Sequence, residues 1–127
     1  MDREQDRILV IDGEKHMVEL LDLYLRKAGF QVSCAFDAEA GIREFDLFDA
    51  DLVIVDDTVP GNEYLDVVRR IRAGSTVPVI ILGSHGSQES RDESYAVGAD
   101  DFISKPFRPR DMISVIKLAL MRARLRR

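Results

Sequence analysis

The chain carries a single cysteine, Cys34, so no disulfide can form within it. A lone cysteine in a strand-like stretch packs as a small apolar residue more readily than it reacts. No apolar run approaches the roughly 18 residues that span a bilayer, and the charged N-terminal residues lack the pattern of a secretory signal. The expectation is a cytoplasmic protein that makes no membrane contact. Internal repeats, low-complexity tracts and internal linkers are also missing. So are the glycine-rich phosphate cradle, the Cys/His spacing of a metal site and the nucleophile elbow of hydrolases. His16 and His85 stand alone, which suits solvated loop or helix-end positions better than catalysis or metal binding.

What is present fits one globular domain. At 127 residues, 46% hydrophobic and 32% charged, the chain can bury roughly two-thirds of its unfolded surface. Its net charge of −5 hides an asymmetry. From Lys105 onward, eight Lys or Arg face one acid, Asp111, for +7; the rest carries 10 Lys or Arg against 22 acids, for −12. An acidic body argues against nucleic-acid binding by the domain itself.

The chain is organised around Asp51 to Gly61. Leu52-Val53-Ile54-Val55 is an uninterrupted apolar run, as in a strand buried on both faces, and it ends in Asp56 and Asp57 before Pro60-Gly61 turns the chain. Around it, short apolar strands alternate with helical patterns. Arg7–Ile11 reads as a strand stopping at Asp12-Gly13, and Glu14–Ala28 as a helix with Met17, Leu20, Leu21, Tyr24, Leu25 and Ala28 in one stripe, closed by Gly29. Strand Gln31–Ala35 and helix Ala38–Phe45 follow. After the central strand, Asn62 is positioned to cap a helix over Glu63–Arg72. Pro78–Leu82 is the fourth strand, Gln88–Val97 a polar helix anchored by little before Tyr95 and closed by Gly98, and Asp101–Ile103 the fifth strand. A last helix runs from about Pro109. Gly61, Gly86 and Gly98 read as turns or caps. Five β-α units joined by short connections predict an α/β fold, a parallel sheet covered on both faces. The carboxyl ends of its strands, where such sheets bind ligands, collect Asp12, Asp56, Asp57, Gly83, Ser84 and Lys105.

Ile8–Asp12, Asp51–Gly61, Val77–Leu82 and Gly98–Phe107, in this order, resemble the receiver domain of a two-component response regulator. The resemblance runs from about Arg7 to Met121, leaving residues 122–127 as a basic helical tail or the start of a linker. It implies a flavodoxin-like, doubly wound five-stranded sheet of order 2-1-3-4-5 with five helices, and a signalling module rather than an enzyme. It implies that Asp56 is the phosphoacceptor position, served by a sensor histidine kinase or another signalling protein. Charge piling up on a transferred phosphoryl group must be neutralised. In the family an Mg²⁺ does this, so the metal-facing positions are Asp12, Asp56 and the Thr58 carbonyl, and Lys105 is the phosphate-facing lysine. The switch positions are Gly83 and Phe102.

Two departures stand out. Gly13 replaces the second acid of the metal site, and Mg²⁺ relies on one or two carboxylates. Gly83 has no hydroxyl with which to follow a phosphoryl group. Glu14 and Ser84 are the nearest substitutes. Restoring a carboxylate at position 13 is expected to raise Mg²⁺ affinity. The reading is therefore a receiver with impaired or absent Mg²⁺-dependent phosphorylation, acting as an interaction or dimerisation module. A working receiver phosphorylated on Asp56 is the first alternative; a small flavodoxin-like cofactor-binding protein is the second. The last helix is apolar almost all the way round, which implies contact on a second face. Resemblance places a homodimer at helix four, strand five and helix five, with Met112, Val115, Ile116 and Ala119 as the interface.

Overall fold

The computed structural model describes residues 5–61, 63–84 and 87–126. Asn62, His85, Gly86 and the final arginine lie outside the described residues, so the expected Asn62 cap and the readings of His85 and Gly86 are not addressed by it. The elements follow the expected alternation: β1 (Arg7–Ile11), α1 (Lys15–Lys27), β2 (Gln31–Ala35), α2 (Ala38–Phe48), β3 (Leu52–Asp56), α3 (Tyr64–Arg72), β4 (Val79–Gly83), α4 (Gln88–Ala96), β5 (Asp101–Ser104) and α5 (Pro109–Leu125). The five strands form one parallel sheet of order β2-β1-β3-β4-β5.

Strand parity divides the core. Ile8, Val10, Ile54, Ile80 and Leu82 pack on one face, under α1 and α5, while Leu9, Ile11, Val53, Val55 and Ile81 pack on the other, under α2 and α3. β3 and β4 are buried along their whole length, which is why their sequences run apolar without alternation. Each fully buried Ile or Leu contributes about 1.5–3 kcal/mol.

Helix ends explain several boundaries. Glu14 caps α1, its two carboxylate oxygens accepting from the His16 and Met17 amides at 3.1 and 2.8 Å. Asp37 caps α2, which runs one turn further than its sequence pattern indicates and stops where Asp49 turns left-handed at φ 58°. Gly29 and Gly98, at φ 96° and 110°, close α1 and follow α4 as expected.

Three packing expectations need correction. In α1 the buried residues are Val18, Leu21 and Leu25, and Leu20 faces solvent. In α4 the buried residue is Ser94, whose hydroxyl meets Tyr64 Oη at 3.1 Å, and Tyr95 lies on the surface. The third concerns the proposed interface. Met112, Ile116 and Ala119 are the stripe by which α5 enters its own core, so they are not available to a partner. Val115 is half-buried. The apolar residues that α5 leaves open are Leu118, Met121 and Leu125, exposed by 42%, 51% and 79%.

Candidate functional site at the carboxyl edge of the sheet

Parity and register assemble the site. Asp12 continues the Ile8/Val10 side of β1, and Asp56 ends β3 on the Leu52/Ile54 side. The pairing of Val10 with Ile54 and of Ile11 with Val55 sets the two acids beside each other. Lys105 continues the Ile103 side of β5, the same face, with its peptide bond to Pro106 cis. Both carboxylates are 0% exposed. The structure thus brings Asp12, Asp56 and Lys105 together.

Each oxygen of Asp56 has a partner. Oδ1 accepts from the Thr58 amide at 2.8 Å and the Thr58 hydroxyl at 2.6 Å, and Oδ2 faces the Lys105 ammonium in an ion pair. Burial by itself would raise this carboxyl, but the Lys105 and Thr58 contacts outweigh it and hold it below the usual carboxylate range. Asp12 is its opposite. Oδ1 accepts from the Glu14 amide at 2.9 Å, while Oδ2 is buried without a hydrogen-bond donor. Burial, reinforced by the Asp56 charge and opposed by the Glu14 amide, pushes the Asp12 carboxyl up to about 6. One acid is anchored as an anion; its neighbour resists becoming a second.

Glu14 and Ser84, the nearest substitutes, are both engaged elsewhere. Glu14 spends its carboxylate on the α1 cap. Asp57 turns to the β4–α4 loop, where it accepts from the Ser84 amide and hydroxyl at 2.8 and 2.9 Å. That contact was missed, since no sequence signal pairs residues 27 apart across a loop. The space beside Gly13 is filled too: a Cβ there would lie 2.6 Å from Pro60 Cγ and closer still to Cδ. Above Gly83, a Cβ would lie 3.0 Å from Phe102 Cε2 and closer to Cζ and Cε1. Among the described residues, no three His, Cys, Asp or Glu side chains are grouped to hold a metal ion. A buried carboxylate oxygen without a donor is a cation's natural partner. Asp12 and Asp56 are the two carboxylates a cation would meet here, and Gly13 supplies none where the family has a further acid. A cavity of about 440 Å³ lies away from these acids, at the opposite ends of β3 and β4, lined by Asp49, Asp51, Ser75 and Arg126 among others.

The family profile of the response regulator receiver domain matches residues 8–117. The chain belongs to this family. The receiver domain is 35% identical over 115 residues to Sensory transduction protein RegX3 of Mycobacterium tuberculosis (strain ATCC 25618 / H37Rv), covering 91% of the chain and 51% of RegX3. It is 33% identical over 117 residues to Regulatory protein VanR of Enterococcus faecium, covering 92% of the chain and 51% of VanR. The chain thus spans about half the length of these curated relatives. Among solved structures, a response regulator receiver domain protein from Clostridium thermocellum superposes with a TM-score of 0.89 at 28% identity, covering 96% of this chain and 99% of that one. A CheY-like receiver domain protein from Methanospirillum hungatei JF-1 gives a TM-score of 0.92 at 24% identity, over 98% and 100%, which speaks to fold alone. Receiver domains generally bind Mg²⁺ at their phosphorylation site and serve as signalling modules of two-component response regulators. Among the described residues, no helix is long and apolar enough to cross a membrane.

Proposed function

We propose that this receiver domain is an interaction module of a two-component pathway in which Mg²⁺-dependent phosphorylation of Asp56 is impaired or absent. The carrying observation is the pairing of Gly13 with Pro60: the place of a second metal-binding carboxylate is taken by a proline ring. The double engagement of Asp56 by Thr58 and Lys105 supports the same reading. A nucleophilic carboxylate must free an oxygen and have the incoming charge neutralised, and among the described residues Lys105 is the cation paired with Asp56. Response regulators partner with sensor histidine kinases, and a kinase or another signalling protein in the cytoplasm is the upstream partner in this reading. The module is not an enzyme. The family match leaves no ground for a cofactor-binding flavodoxin-like protein.

The proposed dimer uses the face of α4, β5 and α5, moved from the buried stripe to the open one. Leu118, Met121 and Leu125 follow a spacing of three and four along α5, and Tyr95 is open on α4. Acids on α4 (Glu89, Asp92, Glu93) and bases on α5 (Lys117, Arg122) complement each other across a two-fold axis. Replacing Leu118 and Met121 by glutamate should leave a folded monomer by sedimentation; an unchanged dimer, or a wild type that is monomeric at high concentration, rejects this interface.

A second reading, a receiver phosphorylated on Asp56, draws on the donor-free Asp12 Oδ2, a buried acceptor beside the phosphoacceptor position. Calorimetric titration with Mg²⁺ separates the two. The impaired reading expects no saturable binding at millimolar concentration. A one-to-one isotherm abolished by Asp12→Ala supports the working receiver.

A further inference from the structure

Ser84, just after β4, and the Phe102 ring are held by side-chain contacts that use none of the Asp12, Asp56 and Lys105 side chains, although the Lys105 amide donates to the Gly83 carbonyl at 2.9 Å. At the start of the loop, the Asp57 carboxylate takes both the amide and the hydroxyl of Ser84, at 2.8 and 2.9 Å. On the same side of the sheet, Phe102 is buried with its ring in the hollow that the missing Gly83 side chain leaves. The Arg91 guanidinium of α4 lies over that ring, 4.9 Å from its centroid, and donates to Ser104 Oγ at 2.8 Å. Apart from Ser94, α4 buries nothing, so this stack is a principal tie between α4 and β5.

We infer that Asp57–Ser84 and Gly83–Phe102–Arg91 form a built-in latch that fixes the α4–β5 face in one arrangement, whatever the state of Asp56. The carboxylate of Asp57 holds Ser84 by two hydrogen bonds at once. Glycine at 83 removes the side chain that would contest the ring's position, and Arg91 closes over it. A ring with one available seat carries no information from the phosphoacceptor, because a shift requires two arrangements of comparable free energy. The surface made by α4 and β5 is accordingly constant. This goes beyond impaired phosphorylation and holds whether or not Asp56 accepts a phosphoryl group.

The test uses the full chain with ¹³C-labelled phenylalanine rings and amide hydrogen exchange. Asp57→Ala should speed exchange of the Ser84 amide about tenfold or more, the effect of removing a bond to a charged acceptor. Gly83→Ser should displace the Phe102 ring resonances, and Arg91→Ala should do so more gently if the serine variant does not fold. Asp56→Asn, which alters the acid pocket alone, should leave both the Phe102 resonances and the Ser84 exchange rate in place. Unchanged Ser84 exchange in Asp57→Ala overturns the latch, and so does a Phe102 shift in Asp56→Asn. Phosphorylation of Asp56, measured separately by intact mass, would overturn the functional reading and leave the latch standing.

Discussion

Replacing Asp12 by asparagine removes a buried charge while keeping the side chain's shape. Oδ1 would still accept from the Glu14 amide at 2.9 Å, and the new amide group would stand where Oδ2 now has no donor, turned toward the Asp56 carboxylate. The Asp12 carboxyl sits at about 6 in the folded chain against 3.8 in an open one. Its ionisation therefore opposes folding. Well below pH 3.8 the group is protonated folded and unfolded alike and contributes nothing; as pH rises through 3.8, the unfolded chain loses the proton first and stability falls; the penalty is complete only once pH is well above 6. At 1.36 kcal/mol per pH unit of displacement, it reaches about 3 kcal/mol. Urea denaturation in chelator-containing buffer at pH 7.5 should show Asp12→Asn more stable by about that amount, with the gain shrinking between pH 6 and 4. A variant less stable at pH 7.5, or one whose gain is the same at pH 4, would refute this account of the paired acids.

Lys105→Ala leaves Asp56 buried without its cation, and should cost about 3–5 kcal/mol at neutral pH. Because the Asp56 carboxyl is held low, the stability it contributes is present above the unfolded carboxylate range and lost as pH falls through its folded value; the Lys105→Ala deficit should therefore narrow in acid, and a pH-independent deficit would contradict the pairing. Gly13→Asp should raise Mg²⁺ affinity only when combined with Pro60→Ala, and should by itself cost about 1–3 kcal/mol of stability as the proline ring is displaced; calorimetry and denaturation of the single and double variants check this. Arg72 joins α3 to the segments flanking β4 and β5 through the Ser75, Val77 and Gly98 carbonyls and the Asp100 carboxylate. Arg72→Lys should lose at least 2 kcal/mol, close to Arg72→Ala, since one ammonium cannot span that set. Denaturation midpoints decide it.

The strands were legible because a parallel sheet buried on both faces writes itself as apolar runs, and β1, β3 and β4 are such runs. The gathering of Asp12, Asp56 and Lys105 at one edge followed from the strand ends, and their roles from the resemblance. What periodicity could not settle was α5. A helix apolar nearly all round offers several stripes, and only packing decides that Met112, Ile116 and Ala119 turn inward while Leu118 and Met121 turn out. The choice of Val18 over Leu20 in α1 has the same cause. Glu14 carried a readable second role, a carboxylate just ahead of a helical stripe, where caps sit. The Pro60 and Phe102 rings beside Gly13 and Gly83 were beyond reach, because a sequence shows the missing side chain and not what fills its place.

In the proposed reading the acid pocket has lost its trigger while the fold persists. Incubating the chain with a small phosphodonor and Mg²⁺, and following intact mass, tests this most directly. The prediction is a mass that stays that of the unmodified chain; stable addition of one phosphoryl group, abolished by Asp56→Asn, would contradict it.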